Sequence, residues 1–224
     1  MNIPYIDIHT HNPVNTEEII SIPSLFLQNI DKGTDLITPF SAAIHPWDAT
    51  KFSPEQVRIM LKNLENQQKL IAIGETGLDK ICTADYQRQK LIFEMHLEFA
   101  EQYRKPVILH AVKSWNELIE YIKRANISFV LHGYSAGIEL TKQLIDMGCY
   151  FSVGKSVMRI TPRFHEAIQI IPLTSLFLET DGSMIKITEI YQEVSQILNL
   201  PLEGLKNQIK MNFETLFFDI KDCK

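Results

Sequence analysis

Short apolar, β-branched runs alternate with stretches of helical period along nearly the whole chain, the pattern of a parallel sheet with crossover helices. The runs at residues 5–9, 18–22, 42–45, 70–74, 107–110, 129–132, 150–153 and 176–179 predict eight strands, and eight such units predict a TIM-type (β/α) barrel. Helix starts are written in the polar residues. Ser53-Pro54-Glu55-Gln56 offers a hydroxyl cap, a proline at the first helical position and a capping-box partner, ahead of Val57, Met60, Leu61 and Leu64 on one face. Ser114 and Glu117 read as a second capping box before Leu118, Ile119 and Ile122. Leu91, Ile92, Met95 and Phe99 stripe a long helix before Pro106, and Gly148 closes another. The pattern falters near the start. Between His11 and Glu18 there are too few residues for a crossover helix, so the second strand is expected to pair as a hairpin or to leave the barrel trimmed and irregular there. Residues 23–40 show no helical period.

The polar residues at the ends of these apolar runs carry the candidate chemistry. His9 and His11 are two apart on extended chain, so both imidazoles project to one side. Glu75 follows LIAIG, His110 ends PVIL, His132 ends SFVL and Asp181 follows SLFLET. In a parallel barrel these are the strand ends that ring one mouth, where active sites are built. Four imidazoles and two carboxylates exceed what one four-coordinate ion with an open position uses, which points to two divalent ions. A carboxylate such as Glu75 can bridge two ions, which together lower the pKa of a shared water. Asp181 can ligate one ion and accept that water's proton.

Composition narrows the setting. A chain of 224 residues, 45% hydrophobic, reads as one domain over residues 1–224. MNIPYIDIHTHNP lacks the basic start and apolar core of a secretory signal, and no run reaches the length of a membrane span, so a cytoplasmic, non-membrane protein is expected. Cys82, Cys149 and Cys223 are odd in number and lack C-x-x-C spacing, which fits reduced thiols. The formal net charge of -5 argues against a broad basic face for nucleic acid but allows a small anionic substrate.

In order along the chain, DIHTH, AIHP, IGETGLD, PVILH, LHGYSAG and LFLETDG resemble the TatD family of metal-dependent hydrolases. The resemblance implies an amidohydrolase-like TIM barrel. It also implies that His9, His11, Glu75 and Asp181 surround one ion and Glu75, His110 and His132 the other. The activity implied is that of a magnesium-dependent deoxyribonuclease, in some members a 3′ to 5′ exonuclease. The departures concern the substrate wall. His45-Pro46-Trp47 stands where the family often has His-Pro-His, Ala111-Val112-Lys113 replaces a Cys-Arg-Asp-like stretch, and Gly182-Ser183 replaces Cys-Pro.

Lys80, Lys113, Lys155 and Lys186 each follow a strand and are candidates for attracting phosphate, against the plainer reading of solvated loop lysines. His45 is a candidate substrate contact and Trp47 a candidate stacking surface. Asp7 and Asp79 are placed to support ligand histidines or to make local turns, and His96 and His165 fall within helices as structural residues. The expected substrate is DNA or a small phosphoester, with no stable protein partner implied. The rivals are hydrolysis of an amide, ester or lactone, and a metal-binding scaffold without turnover. Imidazole-rich ligation suits zinc, manganese, iron or nickel, whereas magnesium prefers oxygen donors and retained waters.

Overall fold

The computed structural model describes residues 3–30 and 36–218. Its strands are β1 (Tyr5–Thr10), β2 (Ile19–Phe26), β3 (Phe40–Ala43), β4 (Leu70–Asp79), β5 (Val107–Val112), β6 (Phe129–Leu131), β7 (Tyr150–Val153) and β8 (Leu176–Leu178). They form one sheet in which sequence neighbours are sheet neighbours. The helices α1 (Pro54–Leu64), α2 (Tyr86–Gln102), α3 (Trp115–Arg124), α4 (Ile138–Asp146) and α5 (Pro162–Ile168) separate successive strands from β3 onward, and α6 (Ile187–Ile197) and α7 (Leu202–Phe217) follow β8. This is the topology of a TIM-type (β/α) barrel. Among the described residues no helix is long and apolar enough to cross a membrane. Backbone contacts divide the chain into two compact units, Met1–Pro23 with Leu131–Lys224, and Ser24–Val130.

In the first unit the hairpin alternative does not occur, and the return is the trimmed, irregular one, without a crossover helix. β1 and β2 run parallel, Tyr5 opposite Ile19 and Asp7 opposite Ser21. The short return is possible because polar side chains satisfy backbone groups that a crossover helix would otherwise have satisfied internally. Ser21 Oγ donates to the Val14 carbonyl (2.7 Å), and the Ser21 N–H donates to Asn15 Oδ1 (2.9 Å). β1 also meets β8 in this unit: Thr10 and Asp181 form a parallel bridge just beyond the β8 end. On the outside of β1, the buried Tyr191 hydroxyl of α6 accepts from the Ile6 N–H and donates to the Ile6 carbonyl, each at 3.0 Å. From α7, Asn212 Nδ2 donates to the Leu173 and Leu176 carbonyls at the start of β8 (2.7 and 2.8 Å). Gly148 ends α4 with φ 72°, the left-handed conformation that a Cβ disfavours.

In the second unit β4 is buried along its whole length between β3 and β5, as expected for a central parallel strand. The α1 capping box is present, with the Ser53 hydroxyl accepting from the Gln56 N–H and Gln56 Oε1 accepting from the Ser53 N–H. α3 differs from expectation. Ser114 is fully buried and its hydroxyl donates to the Leu78 carbonyl (2.7 Å), leaving no side-chain cap. Glu117, expected to complete that box, pairs with Lys80 instead. On α2, Leu91 is exposed and the inner face is made by Ile92, Phe93, Met95, His96 and Phe99. Cys82 and Cys149 are free thiols, and Cys223 lies outside the described residues.

His96 is structural, as its helical position implied. It is fully buried, its Nε2 accepts from the Ile44 N–H (3.0 Å), and its Nδ1 lies 2.7 Å from the Ile92 carbonyl. An acceptor Nε2 places the single ring proton on Nδ1. Burial pushes the imidazole down from its ordinary value to about 4. The unfolded chain therefore binds a proton near pH 6.5 that the folded chain refuses until about pH 4, so stability falls as pH drops through this window, by up to about 3 kcal/mol. Asp7, whose buried carboxyl is pushed up to about 7, acts in the opposite sense over the same range, so the His96 contribution is read as a difference: denaturant midpoints of the wild type should fall relative to those of a His96→Gln protein as pH drops from 7 to 5.

Candidate metal centre

In the first unit the ligands gather because the β1–β8 alignment continues past the strand ends. The Asp181 N–H donates to the His9 carbonyl and the His11 N–H to the Asp181 carbonyl, both at 3.0 Å, while Thr10 Oγ1 donates to that same carbonyl (3.1 Å). Asp181 has φ 54°, a left-handed conformation that aspartate tolerates better than most residues, and it is followed by Gly182. One donor atom each from His9, His11 and Asp181 lie within 4.8 Å of one another. His11 Nε2 is 3.7 Å from Asp181 Oδ1. The His9 ring stands 4.2 Å from the His132 ring, centroid to centroid.

Behind these residues lies a carboxylate that the sequence pattern had placed only as the end of a strand. Glu179 is fully buried. Its Oε1 accepts from the Gly133 N–H (2.8 Å) and lies 2.7 Å from His132 Nδ1, while its Oε2 accepts from the Ser152 hydroxyl. A carboxylate at this distance favours the Nδ1-protonated ring and directs the Nε2 lone pair of His132 away, the arrangement that orients a metal-binding imidazole. Asp7 does not serve that purpose. It binds Thr180, accepting from its N–H (2.9 Å) and its hydroxyl (2.6 Å), and burial pushes its carboxyl up to about 7.

The second unit holds Glu75, His110 and His45. His110 Nδ1 lies 2.5 Å from Glu75 Oε1, and His45 Nε2 lies 3.4 Å from that same oxygen. β4 approaches β5 so closely here that a Cβ on Gly77 would sit 2.1 Å from the His110 carbonyl oxygen. Asp79 stands behind. Its Oδ2 accepts from Trp47 Nε1 (2.7 Å) and lies 3.4 Å from His110 Nε2, and its Oδ1 accepts from the Ile81 and Cys82 N–H groups (2.9 and 3.2 Å). Burial alone would raise the Asp79 carboxyl, but the hydrogen bonds from Trp47, Ile81 and His110 outweigh it and hold the group below its ordinary value. Asp79 thus both supports a histidine and closes a local turn. Gln89, buried on α2, fixes the strand end by accepting from the Asp79 N–H and donating to the Asp79 carbonyl.

His45 is set apart by its tautomer. Its Nδ1 accepts from the Trp47 N–H (3.2 Å), so in the neutral ring the proton is on Nε2 and no lone pair is left for an ion. It is a hydrogen-bond donor facing Glu75.

Of the lysines, Lys155 Nζ lies 3.6 Å from Asp181 Oδ2, whereas Lys80 is held by Glu117 at 2.5 Å. Lys113 and Lys186 are exposed, and His165 lies on α5. The donor sets fit divalent ions. Imidazole nitrogens and carboxylate oxygens converge in each unit at separations that an ion with bonds of about 2.0–2.2 Å can span.

The family model described as "TatD related DNase" matches residues 27–218. The chain belongs to the TatD-related DNase family. It is 27% identical over 185 residues to an uncharacterized metal-dependent hydrolase of Buchnera aphidicola, a match covering 80% of this chain and 64% of that protein. It is 30% identical over 151 residues to the uncharacterized metal-dependent hydrolase YjjV of Escherichia coli, covering 64% of this chain and 58% of the relative. The chain therefore spans less than two thirds of the length of these curated relatives. The crystal structure of that YjjV protein, a TatD homologue, superposes with TM-score 0.80 at 22% identity over 97% of this chain and 99% of the other, a likeness that establishes the TIM-type fold.

For this TatD-family chain, Glu179→Gln should weaken zinc binding about 10- to 100-fold, because His132 loses the carboxylate that orients it. Calorimetric zinc titration of wild type and variant measures the difference directly.

Proposed function

We propose that this TatD-family chain is a metal-dependent phosphodiesterase acting on DNA ends or short single strands. Its metal ligands are His9, His11, His132 and Asp181 in the first unit and Glu75 and His110 in the second. The observation that carries the reading is the convergence of His9, His11 and Asp181 on one point, held by the β1–β8 backbone bonds. When bound, divalent ions supply Lewis acidity and a water nucleophile at neutral pH. The Asp181 carboxylate, its Oδ1 3.7 Å from His11 Nε2 and its Oδ2 3.6 Å from Lys155 Nζ, takes the proton of the attacking water, and the partly exposed site around it admits solvent. The His45 Nε2–H donates to a non-bridging phosphoryl oxygen, its tautomer fixed by Trp47. Lys155, beside Asp181, offers the positive charge that a phosphate seeks, and Lys113, exposed after β5 in the second unit, is a further candidate. The family's description as DNase supports nucleic acid as the substrate.

One observation favours a second reading, hydrolysis of a small ester or amide. Beside the Asp181 turn lies a largely apolar cavity of about 620 Å³, lined in part by Val14, Ile19, Met184 and Ile185, which suits an apolar substituent.

A 3′-labelled single-stranded oligonucleotide, incubated with metal-reconstituted protein, separates the two. The phosphodiesterase reading expects metal-dependent shortening that falls at least about 100-fold in Asp181→Asn and His132→Ala proteins of unchanged fold. No cleavage with magnesium, manganese or zinc, together with turnover of chromogenic esters, would transfer the assignment to carbonyl substrates.

A further inference from the structure

Trp47 is 60% exposed, yet its position is fixed from several directions. Its indole Nε1 donates to the buried Asp79 carboxylate at 2.7 Å, and its backbone N–H donates to His45 Nδ1. The tight turn Pro46–Asp48 that carries it begins with a proline and is held beyond by Asp48, which accepts from Gln28 Nε2 (3.0 Å) and pairs with Lys51 (2.7 Å). The ring stands nearly perpendicular to the His45 ring (4.8 Å, 83°) and to that of His110 (6.5 Å, 81°). A large apolar ring left in solvent gains little from folding, whereas here a buried carboxylate that also faces a candidate metal ligand is committed to holding it. Such an arrangement is wasteful for a packing residue and useful for an aromatic surface at a fixed distance from reactive groups.

We propose that Trp47 is the platform on which an unpaired base of the substrate stacks, with Asp79 as the positioning residue that holds the indole and His110 in register. Because every base presents a π face, the platform recognises the presence of a base and not its identity. The substrate class is therefore a base-bearing single-stranded or frayed end, and an abasic end is a poor ligand. The proposal rests on the phosphodiesterase reading for its catalytic consequence, but base binding is measurable without turnover.

The chain has two tryptophans, Trp47 and Trp115, so a Trp115→Phe protein reports on Trp47 alone. Metal-loaded Trp115→Phe protein should show fluorescence quenched by deoxyadenosine and thymidine monophosphates with similar affinity, and not by 2-deoxyribose 5-phosphate. In that background Asp79→Ala should weaken the nucleotide titration on the order of tenfold, and Asp79→Asn, which keeps an acceptor oxygen for Nε1, should restore most of it. In cleavage assays Trp47→Ala should raise KM about five- to hundred-fold on a base-bearing 3′ end, and Trp47→Phe, which keeps a ring but loses the Asp79 anchor, about tenfold, while KM on an abasic 3′ end is unmoved by either change; any loss of kcat through the Asp79–His110 contact is shared by the two ends. Equal quenching by nucleotide and sugar phosphate, absence of quenching, or an equal change of KM in Trp47→Ala on base-bearing and abasic ends would overturn the platform. Failure of the wild type to hydrolyse both oligonucleotide and bis(p-nitrophenyl) phosphate would overturn the phosphodiesterase reading instead, with the quenching experiment still deciding the platform.

Discussion

The parallel alignment of the first strand with the last is the constraint on which the first ligand set depends. Thr180 delivers both its N–H and its hydroxyl to the buried Asp7 carboxylate, and the Asp181 backbone then donates to the His9 carbonyl and accepts from the His11 N–H. Placing a carboxyl in the interior is unfavourable, as the rise of Asp7 to about 7 expresses, and two strong donors offset that cost. The consequence is geometric. With β1 fixed against Asp181, the two-residue period of a strand sends His9 and His11 to the same side, and the left-handed turn at Asp181 brings its carboxylate to meet them. No ligand in this set is placed by a flexible side chain alone.

The second ligand set is organised differently, by a relay of polar contacts rather than by a backbone ladder. Gln89 fixes the Asp79 backbone, Asp79 faces His110 and Trp47, His110 faces Glu75, and the Trp47 backbone fixes the tautomer of His45. Buried polar networks stabilise only when their members are satisfied, and each partial loss leaves a group desolvated without a partner. The same contacts assign chemistry. Of three residues that could surround an ion in this unit, Glu75 and His110 keep donor atoms for it, while His45 is committed to donating a proton.

Much of the fold was legible because β-branched runs and helical periods are local signals, and most expected strands differ from the observed ones by a few residues at their ends. The β1–β2 connection stayed open between a hairpin and a trimmed return because a parallel return without a helix relies on Ser21 and Asn15 satisfying backbone groups, which no periodicity reveals. The α3 capping box failed for a similar reason: Ser114 found a tertiary acceptor in Leu78, and Glu117 a tertiary cation in Lys80. His9, His11, His110, His132, Glu75 and Asp181 stood out because each is a ligand-type residue directly after an apolar run. Glu179 did not, since a lone glutamate at a strand end carries no mark of the ring it orients. Its one available signal was its place between the buried strand LFL and Asp181, where an exposed role was already improbable.

The central claim of the proposed function is that each unit holds a divalent ion with its own ligands, and metal content per chain tests it most directly. Elemental analysis of protein saturated with zinc and freed of excess ion should give two ions per chain for the wild type. A His9→Ala/His11→Ala protein and a Glu75→Gln/His110→Ala protein, each shown by circular dichroism to keep its fold, should each give about one. Wild-type protein that retains no ion, or either double variant that still retains two, would contradict the account.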